Sequence, residues 1–426
     1  METEIKLRIG PEGLDALARY PAFGDHPADE RHEITTYFDT PEFTLTGHGY
    51  SLRIRADGMQ RIQTLKSAGN GLDVVFPTGA FQRGEWEHPV TGETPDLAAL
   101  AGTPAAEALQ SIGPHALHPV FVTDIHRCSR KLQLPNGAVV EAALDRGTIE
   151  ADGLSAPVSE LELELKQGET GALFRLAIEL AGSVPLVLEP LSKADRGLHL
   201  RGRAGPSPRT AAPIAFDPEA GTAAAFRAII SSALAHFVRN MAAARDGDAE
   251  GVHQLRVATR RLRAALMLFR PHLRGKAAAG FNDELRRIGR ICGAARDLDV
   301  FLHETLPAAR KHVGEEGWLD LLEEVAAPHR GAAQAELRRE LDGPACTRLI
   351  LGLSGWIEDG LTDPTLLGDE VFQRPIAGID LLSRMERKVA KQGRGIGHAS
   401  AADLHELRKA IKKLRYSIEF LAPLYG

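Results

Sequence analysis

Apolar and charged residues alternate with a period of two through much of the first 200 residues. In residues 2–9, Ile5 and Leu7 alternate with Glu4 and Lys6, so a strand there has one apolar face and one charged face. The alternation predicts a set of antiparallel strands, each with one face available for a core. Further runs of this kind lie at residues 34–39, 50–55, 61–66, 85–87, 120–127, 131–134, 139–144 and 159–166.

The hydrophobic period changes near residue 220. Residues 202–221 are rich in Pro, Gly and Ala without periodicity, which predicts a linker and a domain boundary. Beyond it, apolar residues recur about every 3.6 positions, as in amphipathic helices. The predicted fold class is α+β, with a strand-rich domain over residues 1–201 and an all-α helical-bundle domain over 222–426. Helical spacing also occurs within the first domain at residues 11–19, 95–112 and 170–181.

The strand pattern predicts a closed barrel with its charged face inward, because the reverse arrangement would expose rows of Leu and Ile. The inward acidic residues would be Glu2, Glu4, Asp145, Glu160, Glu162 and Glu164, and the inward basic ones Lys6, Arg53, Arg55, Lys66, Arg127, Lys193 and Arg196. Burying so many charges against one another alone is costly. We therefore predict a highly charged ligand, with metal cations on the carboxylates and phosphate oxygens on the Arg and Lys side chains.

Charge is distributed unevenly between the two halves of the chain. The formal net charge is −6, but residues 1–221 contain 20 Lys and Arg against 31 Asp and Glu, whereas residues 222–426 contain 31 against 26. An acidic half that can hold metal thus precedes a basic half that can hold anions.

Composition also sets the expected compartment. Because no apolar run reaches about 18 residues and the chain starts with a charged strand, we predict neither a membrane span nor a signal peptide. The cysteines, Cys128, Cys292 and Cys346, are few and unclustered, which favours a reducing cytoplasm over a disulfide framework or a cysteine metal site.

The helical half contains a repeated basic stripe. His253, Arg256, Arg260 and Arg263 are spaced to share one helix face, and the pattern returns 152 residues later as His405, Arg408, Lys412 and Arg415. Between the two copies lie Arg286, Arg290 and Arg296. Such stripes are often solvated helix faces. Their repetition in register favours a linear polyanion instead, since stacked like charges destabilise a helix that has no anion across them.

The first half resembles the CYTH superfamily, the triphosphate tunnel metalloenzymes. The motifs that carry the resemblance are Glu2-x-Glu4-x-Lys6, Tyr37-Phe38-Asp39-Thr40, Leu52-Arg53-Ile54-Arg55, Thr64-Leu65-Lys66, Leu144-Asp145-Arg146-Gly147 and Glu160-Leu161-Glu162-Leu163-Glu164. The resemblance implies an eight-stranded antiparallel β tunnel that binds triphosphate with Mg²⁺ or Mn²⁺. Members include inorganic, thiamine and RNA triphosphatases and some adenylate cyclases.

Charge chemistry and this resemblance together assign roles to the inward residues. The metal ligands would be Glu2, Glu4, Asp145, Glu160, Glu162 and Glu164; the catalytic set Glu2, Glu4, Lys6, Glu162 and Glu164; and the phosphate-binding set Lys6, Arg53, Arg55, Lys66, Arg127, Lys193 and Arg196. Glu85 is a further candidate, whereas Asp39 and Glu87 are interpreted as rim or structural residues. The histidines His32, His48, His88 and His126 show no pairing that suggests ligation.

The second half resembles the CHAD domain, through the two basic stripes and the Arg296-Asp297-Leu298-Asp299 segment. The resemblance implies two pseudo-symmetric helical bundles that bind inorganic polyphosphate. CHAD domains continue through several helices after the second stripe, and this chain ends at Gly426. We therefore expect a shortened second bundle that lacks most of its partner helices.

The leading hypothesis is a metal-dependent hydrolase of inorganic triphosphate with an appended polyphosphate-binding domain. The alternative is a non-catalytic polyphosphate-binding or granule-associated protein. Carboxylates at both ends of the first domain favour the enzyme, because anion binding alone needs only the basic set. Nucleic-acid binding ranks lower, since the second half has few aromatic residues for base stacking. Adenylate cyclase activity stays open, although no adenine pocket is evident.

Overall fold

The computed structural model describes residues 2–24, 27–58, 60–67, 81–106, 116–202, 205–219, 221–273, 276–314, 317–360 and 378–425. By its internal contacts the chain divides into two compact units. The first unit comprises residues 1–207 and 341–354, and the second comprises 208–340 and 355–426. No helix within the described ranges is long and apolar enough to cross a membrane.

The first unit is built on one antiparallel sheet that has ten strands in the described residues. They are β1 (Glu2–Ile9), β2 (Asp29–Asp39), β3 (Tyr50–Asp57), β4 (Gln60–Ser67), β5 (Phe81–Arg83), β6 (Glu85–Pro89), β7 (His118–Gln133), β8 (Val139–Ala151), β9 (Leu154–Gln167) and β10 (Leu186–Leu188). Nine of them follow the order β10-β1-β9-β8-β7-β2-β3-β4-β6, and β5 pairs with β1 outside this path.

The predicted count of eight strands was therefore wrong. The three residues of β5 and of β10 are too few to show an alternation in sequence. The nine-strand path has two ends, at β10 and β6, so this path by itself does not confirm the closed barrel that alternation predicts. β1 is shared along one edge, since Glu2 to Glu4 pair with β5 and Leu7 to Ile9 pair with β10.

In the described part of residues 1–200, five helices accompany the sheet. They are α1 (Pro11–Ala18), α2 (Pro21–Gly24), α3 (Thr44–Gly47), α4 (Thr170–Ser183) and α5 (Lys193–Leu200). Two of the predicted helices, at 11–19 and 170–181, are thus confirmed within two residues. Over residues 95–105 the structure has a 3₁₀ turn at Ala98–Leu100 instead of the predicted helix, and residues 107–115 lie outside the described ranges.

The apolar faces of the strands supply the core of the first unit, as their alternation predicts. Ile5, Leu7, Leu161 and Leu163 are completely buried, and the antiparallel register places Ile5 opposite Leu163 and Leu7 opposite Leu161. Removing these side chains from water is the main force that holds the strands together. The same pairing leaves the charged residues of β1 and β9 together on the other face.

The second unit is mostly helical. The helices described beyond residue 221 are α6 (Thr222–Arg245), α7 (Ala249–Leu268), α8 (Ala277–Val300), α9 (Leu306–Val313), α10 (Gly317–Leu341), α11 (Pro344–Gly360), α12 (Gly378–Gly393) and α13 (Ala401–Leu421). Residues 341–354, which include most of α11, group with the first unit, and the other helical residues belong to the second. Helix α6 is buried over most of its surface, with Ile229, Ile230 and Phe237 in the core. Side-chain caps mark two of the helix starts, Asp248 for α7 and Ser400 for α13.

Candidate active site

The charged face of the sheet borders a cavity of about 1000 Å³ in the first unit. Its wall carries acidic and basic side chains from most of the strands, together with the start of α5. Of the sequence-predicted residues, those on the wall are Glu4, Lys6, Arg53, Arg55, Lys66, Asp145, Glu162, Glu164, Arg127 and Lys193. The structure thus brings together on one cavity wall ten residues that are spread over nearly 190 positions of sequence.

One side of the cavity carries a compact carboxylate cluster on β8 and β9. Oxygen atoms of Asp145, Glu160 and Glu162 lie within 4.8 Å of one another, an arrangement that can hold a metal ion. In this structure the Nζ atom of Lys193 donates to all three, at 2.7 Å from Asp145 and 2.9 Å from Glu162. Arg127 adds a fork of two hydrogen bonds to Asp145, 2.7 and 2.6 Å long, and a third to Glu162.

Helix α5 delivers Lys193 to this cluster. Ser192 caps the helix and forms a reciprocal capping box with Asp195, which fixes where the helix begins. Gly197 packs against the ring of Phe121, and a Cβ atom there would lie 2.4 Å from the ring carbons. The glycine thus allows the helix to lie close to β7, and Lys193 at its first turn reaches the carboxylates.

The pKa values in this cluster follow from burial and close pairing. Burial alone raises the pKa of Glu162, but Lys193, Arg127 and Lys6 outweigh it and hold the pKa well below its ordinary value. Burial dominates for Glu160, whose pKa is raised in spite of Lys193 and Arg196. Burial lowers the pKa of Lys193, yet the three carboxylates raise it well above the ordinary range. Glu162 and Lys193 are therefore charged at neutral pH.

Strands β3 and β4 supply a second group of cations. Arg53 lies 3.6 Å from Glu85, and Lys66 lies 3.1 Å from the same carboxylate. Burial lowers the pKa of Arg53, but its hydrogen bond to Tyr37 and the charge of Glu85 raise it above the ordinary value. Arg55 is more loosely paired, 3.9 Å from Glu33 and 3.7 Å from Glu87. Because these ion pairs of Arg53 and Arg55 are longer than a hydrogen bond, both guanidinium groups can donate hydrogen bonds to an anion that comes closer.

Three sequence-predicted residues are not on the described cavity wall. Glu160 is almost completely buried behind the wall, where it pairs with Lys193 and Arg196. Arg196 also donates to the carbonyl of Pro157 at 2.8 Å, so its contacts are structural. The side chain of Glu2 lies outside the described residues, although its backbone belongs to β1.

The cavity also uses residues that the sequence reasoning missed. They are Glu33, Tyr37, Glu141 and Lys166, and each has a signal that period-two alternation could have given. Lys166 extends the series formed by Glu160, Glu162 and Glu164, and Glu141 lies four residues before Asp145 on the same strand face.

The earlier interpretation of Asp39 as structural fits its contacts. It accepts hydrogen bonds from the backbone of Thr40, Leu45 and Thr46.

In the second unit, both copies of the basic stripe lie together. Helix α7 carries the first copy and α13 the second, and the two helices pack against each other. The guanidinium of Arg260 lies 5.6 Å from the ring centre of Tyr416, and that of Arg415 lies 5.1 Å from the same ring. We call this surface the basic helix cluster: His253, Arg256, Arg260, Arg296, Arg408, Lys412 and Arg415.

Mutual repulsion is visible in the pKa values of the basic helix cluster. Burial lowers the pKa of Arg260, and Arg256, Arg415 and Arg408 lower it further, with Tyr416 opposing them. Burial likewise lowers the pKa of Lys412, and the same neighbouring arginines add to the effect. Burial and the charges of Arg296, Arg256 and Arg260 lower the pKa of His253. Arg296 pairs with Glu304 at 2.7 Å, but the charges that act on Arg260 and Lys412 are positive, so the cluster is a self-repelling surface.

The remaining predicted polyphosphate residues lie apart from the centre of this cluster. Arg263 and Arg286 are neighbours, and the charge of Arg286 adds to burial in lowering the pKa of Arg263. Arg290 lines a different hollow, between α8 and α10, with Glu336 and Glu340. His405 is exposed on the first turns of α13.

The chain thus joins an antiparallel sheet that borders a charged cavity to a helical unit with a basic surface. The CYTH domain family matches residues 1–198, and the CHAD domain family matches residues 228–426. The chain therefore belongs to the proteins that join a CYTH domain to a CHAD domain.

Individual relatives are known for each half and for the whole chain. The inorganic triphosphatase of Haemophilus influenzae is 32% identical over 198 residues, which are 46% of this chain and 54% of that protein. An uncharacterised protein of Mycobacterium tuberculosis is 26% identical over 446 residues, covering 97% of this chain and 80% of the relative. The crystal structure of a CHAD domain from the plant Ricinus communis is 31% identical with a TM-score of 0.45, covering 52% of this chain and 72% of that one. This chain thus spans about half the length of the triphosphatase that it matches.

Proposed function

We propose that the first unit hydrolyses inorganic triphosphate with the help of Mg²⁺ or Mn²⁺. The observation that carries this proposal is one cavity in which cationic side chains, among them Lys6, Arg53, Arg55, Lys66, Arg127 and Lys193, converge with the carboxylates of β1, β8 and β9. The similarity of this half to an inorganic triphosphatase supports the choice of substrate.

We also propose that the cavity is a closed tunnel. β5 and β6 are separated only by Gly84, and they pair with β1 and β4 respectively. The backbone of Gly84 is bonded to Ser67 at the end of β4, through a 3.0 Å hydrogen bond from the Ser67 amide. One short segment would thus bridge the two sides of the sheet and keep bulk water out of the cavity.

The donor set of the cavity fits a hard divalent cation. Carboxylate oxygens suit Mg²⁺ and Mn²⁺, and the cavity offers them without any imidazole or thiolate among its described lining residues. Glu4, Glu162 and Glu164 would hold the cation, because Glu4 lies opposite Glu164 across β1 and β9 and Glu162 lies opposite Lys6. Such a cation, when bound, activates water and neutralises charge that develops on the phosphate.

The cationic side chains of the cavity would bind the triphosphate itself. Hydrolysis breaks one P–O–P bond with water and leaves additional negative charge on the departing phosphate oxygens. Arg53, Lys66 and Arg127 would hold the phosphate chain by exchanging their carboxylate partners for phosphate oxygens. Asp145 and Glu160 would keep Lys193 pointed into the cavity, since both accept hydrogen bonds from its ammonium.

For the second unit we propose binding of longer inorganic polyphosphate at the basic helix cluster. A linear polyanion would relieve the repulsion among Arg256, Arg260 and Lys412, and it would present phosphate oxygens at regular spacing. The cluster would then recruit polyphosphate for the same protein. A cytoplasmic location and association with polyphosphate granules stay predictions from the sequence.

Phosphate release from tripolyphosphate tests the enzyme proposal. Glu4→Gln should lower the rate about 100-fold or more, because it removes a carboxylate from the proposed cation site. Glu150→Gln is the matched control, since Glu150 is an exposed carboxylate on β8 outside the described cavity wall. Release should require Mg²⁺ or Mn²⁺ and disappear with a chelator.

The alternative gives a different result. No release by the unaltered protein, together with salt-sensitive binding of long-chain polyphosphate that Arg256→Ala and Arg260→Ala weaken, would leave a non-catalytic polyphosphate-binding protein. Equal rates for Glu4→Gln and Glu150→Gln would refute the proposed cation site.

A further inference from the structure

Two histidines and an aspartate meet on the outer face of the sheet, between β2 and β7. His32 and His126 are paired directly across these antiparallel strands, and their rings stack at 4.4 Å between centres and 5° between planes. Asp124 lies two residues from His126 on the same face, and its Oδ1 is 2.7 Å from Nε2 of His32. One ligand atom from each of the three residues lies within 4.8 Å of the others.

These residues lie on the opposite face from the cavity. Glu33 on β2 and Ile125 and Arg127 on β7 line the cavity. Because side chains alternate along a strand, the intervening His32, Asp124 and His126 face outward. Both histidines are exposed and Asp124 is half-buried, so solvent and ions reach the group freely. The sequence reasoning missed the group because His32 lies more than 90 positions from Asp124 and His126.

We propose that His32, Asp124 and His126 form a surface site for a first-row transition metal ion such as Zn²⁺. Two neutral imidazoles and a carboxylate are ligands that Zn²⁺ prefers, and they do not suit Mg²⁺. Zinc ligands at about 2.0–2.1 Å from the metal lie about 3.4 Å apart in tetrahedral geometry. Rotation about the side-chain bonds of His32, Asp124 and His126 would bring their ligand atoms from within 4.8 Å of one another to that distance. Water would complete the coordination of the metal.

The neighbouring side chains are compatible with a cation at this position. Arg146 lies opposite His126 on β8, but it is paired with Asp15 at 3.2 Å. One register pair further along the same face, Glu30 lies opposite Cys128. The Sγ atom of Cys128 accepts a hydrogen bond from Arg130 at 3.2 Å, so the thiol already has a partner.

A metal at this site would join β2 to β7 through side chains in addition to the backbone ladder. The same two strands carry Glu33, Tyr37 and Arg127 on the cavity side. The bound ion would therefore stiffen one wall of the cavity without entering it. This inference does not depend on the proposed hydrolysis.

Zinc binding by the untagged full-length protein is the direct test. A chromophoric zinc indicator should report one tight equivalent in excess Mg²⁺, which occupies the oxygen-only sites of the cavity. His32→Ala and His126→Ala should each weaken this equivalent tenfold or more, and Asp124→Asn should weaken it less. His118→Ala is the matched control, because His118 is an exposed histidine on the same strand, and it should bind zinc like the unaltered protein.

Thermal unfolding gives an independent readout, since a ligand that binds only the folded state raises the melting temperature. Zn²⁺ should raise it for the unaltered protein and for His118→Ala but not for His32→Ala or His126→Ala. The proposal is overturned if no zinc equivalent is found in Mg²⁺ buffer or if both histidine variants retain it. It is equally overturned if Cys128→Ser alone abolishes binding, or if bound Co²⁺ shows a thiolate charge-transfer band, because the thiol would then be the ligand.

Discussion

The cationic side chains of the two units have opposite electrostatic surroundings. In the sheet cavity, Lys193 and Arg127 are half-buried and surrounded by carboxylates, and their pKa values are raised. In the basic helix cluster, Arg260 and Lys412 face other cations across α7 and α13, and their pKa values are lowered. Within the described ranges, neither Arg260 nor Lys412 has a carboxylate partner.

This difference predicts two modes of anion binding. The cavity can accept a phosphate chain only by exchanging existing ion pairs, so the geometry of each exchange selects the ligand. The basic helix cluster gains free energy from any polyanion that fits along it, and its affinity should fall steeply with salt. A catalytic site needs the first property and a recruiting surface needs the second.

The largest expected effect is on the folding of the sheet unit. Asp145→Asn should destabilise it by about 3–5 kcal/mol, because Asp145 is completely buried and its loss leaves Arg127 and Lys193 short of a counter-charge. Differential scanning calorimetry of the full chain measures this loss as a lowered unfolding temperature.

An exposed ion pair supplies the control for this substitution. Asp152 pairs with Arg201 at 2.8 Å but is 60% exposed, so Asp152→Asn should change the unfolding temperature little. If Asp145→Asn cost no more than this control, the internal ion pairs would not hold the cavity together.

The core of the helical unit should respond to acid in a separate pH window. Burial, with help from Arg261, lowers the pKa of His236 to about 4. Its neutral ring contacts Gln254 at 3.0 Å. Because the pKa of His236 is lower in the folded chain than in the unfolded chain, where it is about 6.5, its contribution to stability is fully present above about pH 6.5. This contribution is lost as the pH falls toward 4. The loss over this window should be about 3 kcal/mol.

Urea unfolding of the helical unit at pH 7, 5.5 and 4 measures this dependence. His236→Gln should flatten it, whereas His312→Gln, which alters an exposed histidine on α9, should keep the original slope. A variant at 236 that retained the full slope would assign the acid sensitivity to other groups. The sheet cavity should differ, since the lowered pKa of Glu162 places its loss of stability below about pH 4.5.

The smallest expected effect is an increase in stability, whereas the substitution at Asp145 and the fall in pH decrease it. Lys412→Gln should stabilise the helical unit by about 0.3–0.5 kcal/mol, because it removes like-charge repulsion on adjoining helix faces. The same change should weaken binding of long-chain polyphosphate several-fold and lower its salt dependence. Lys391→Gln is the control, since Lys391 is exposed on α12 and should affect neither property. A destabilised Lys412→Gln protein would contradict the picture of a self-repelling cluster.

Local patterns were enough to predict much of the first unit. The period-two alternation placed Glu4 and Lys6 on one face of β1 and Ile5 and Leu7 on the other, because a strand allows no other arrangement. The change of period after residue 220 likewise predicted the mostly helical second half. The three-residue strands β5 and β10 escaped detection because tertiary pairing, rather than their own sequence, makes them strands.

The internal repeat shows that local patterns do not predict which helix face is buried. Because the two copies are 152 residues apart, Arg261 and Lys413 occupy equivalent positions of the repeat. In the structure Arg261 is only 2% exposed and pairs with Glu419 from α13, whereas Lys413 faces solvent. Equal spacing along two helices does not decide which face each helix buries, because the neighbouring helices decide that.

By itself, then, the sequence determined the longer strands with their charged and apolar faces, the change from strands to helices near residue 220, and the two families to which its halves belong. Only the tertiary structure decided that Lys193 occupies the carboxylate cluster, that Arg196 and Glu160 lie behind the cavity wall, and that His32 meets His126. Each of these contacts joins residues far apart in the chain, and periodicity carries information only about neighbours. Register, helix docking and burial set such distances, and they are properties of the folded chain as a whole.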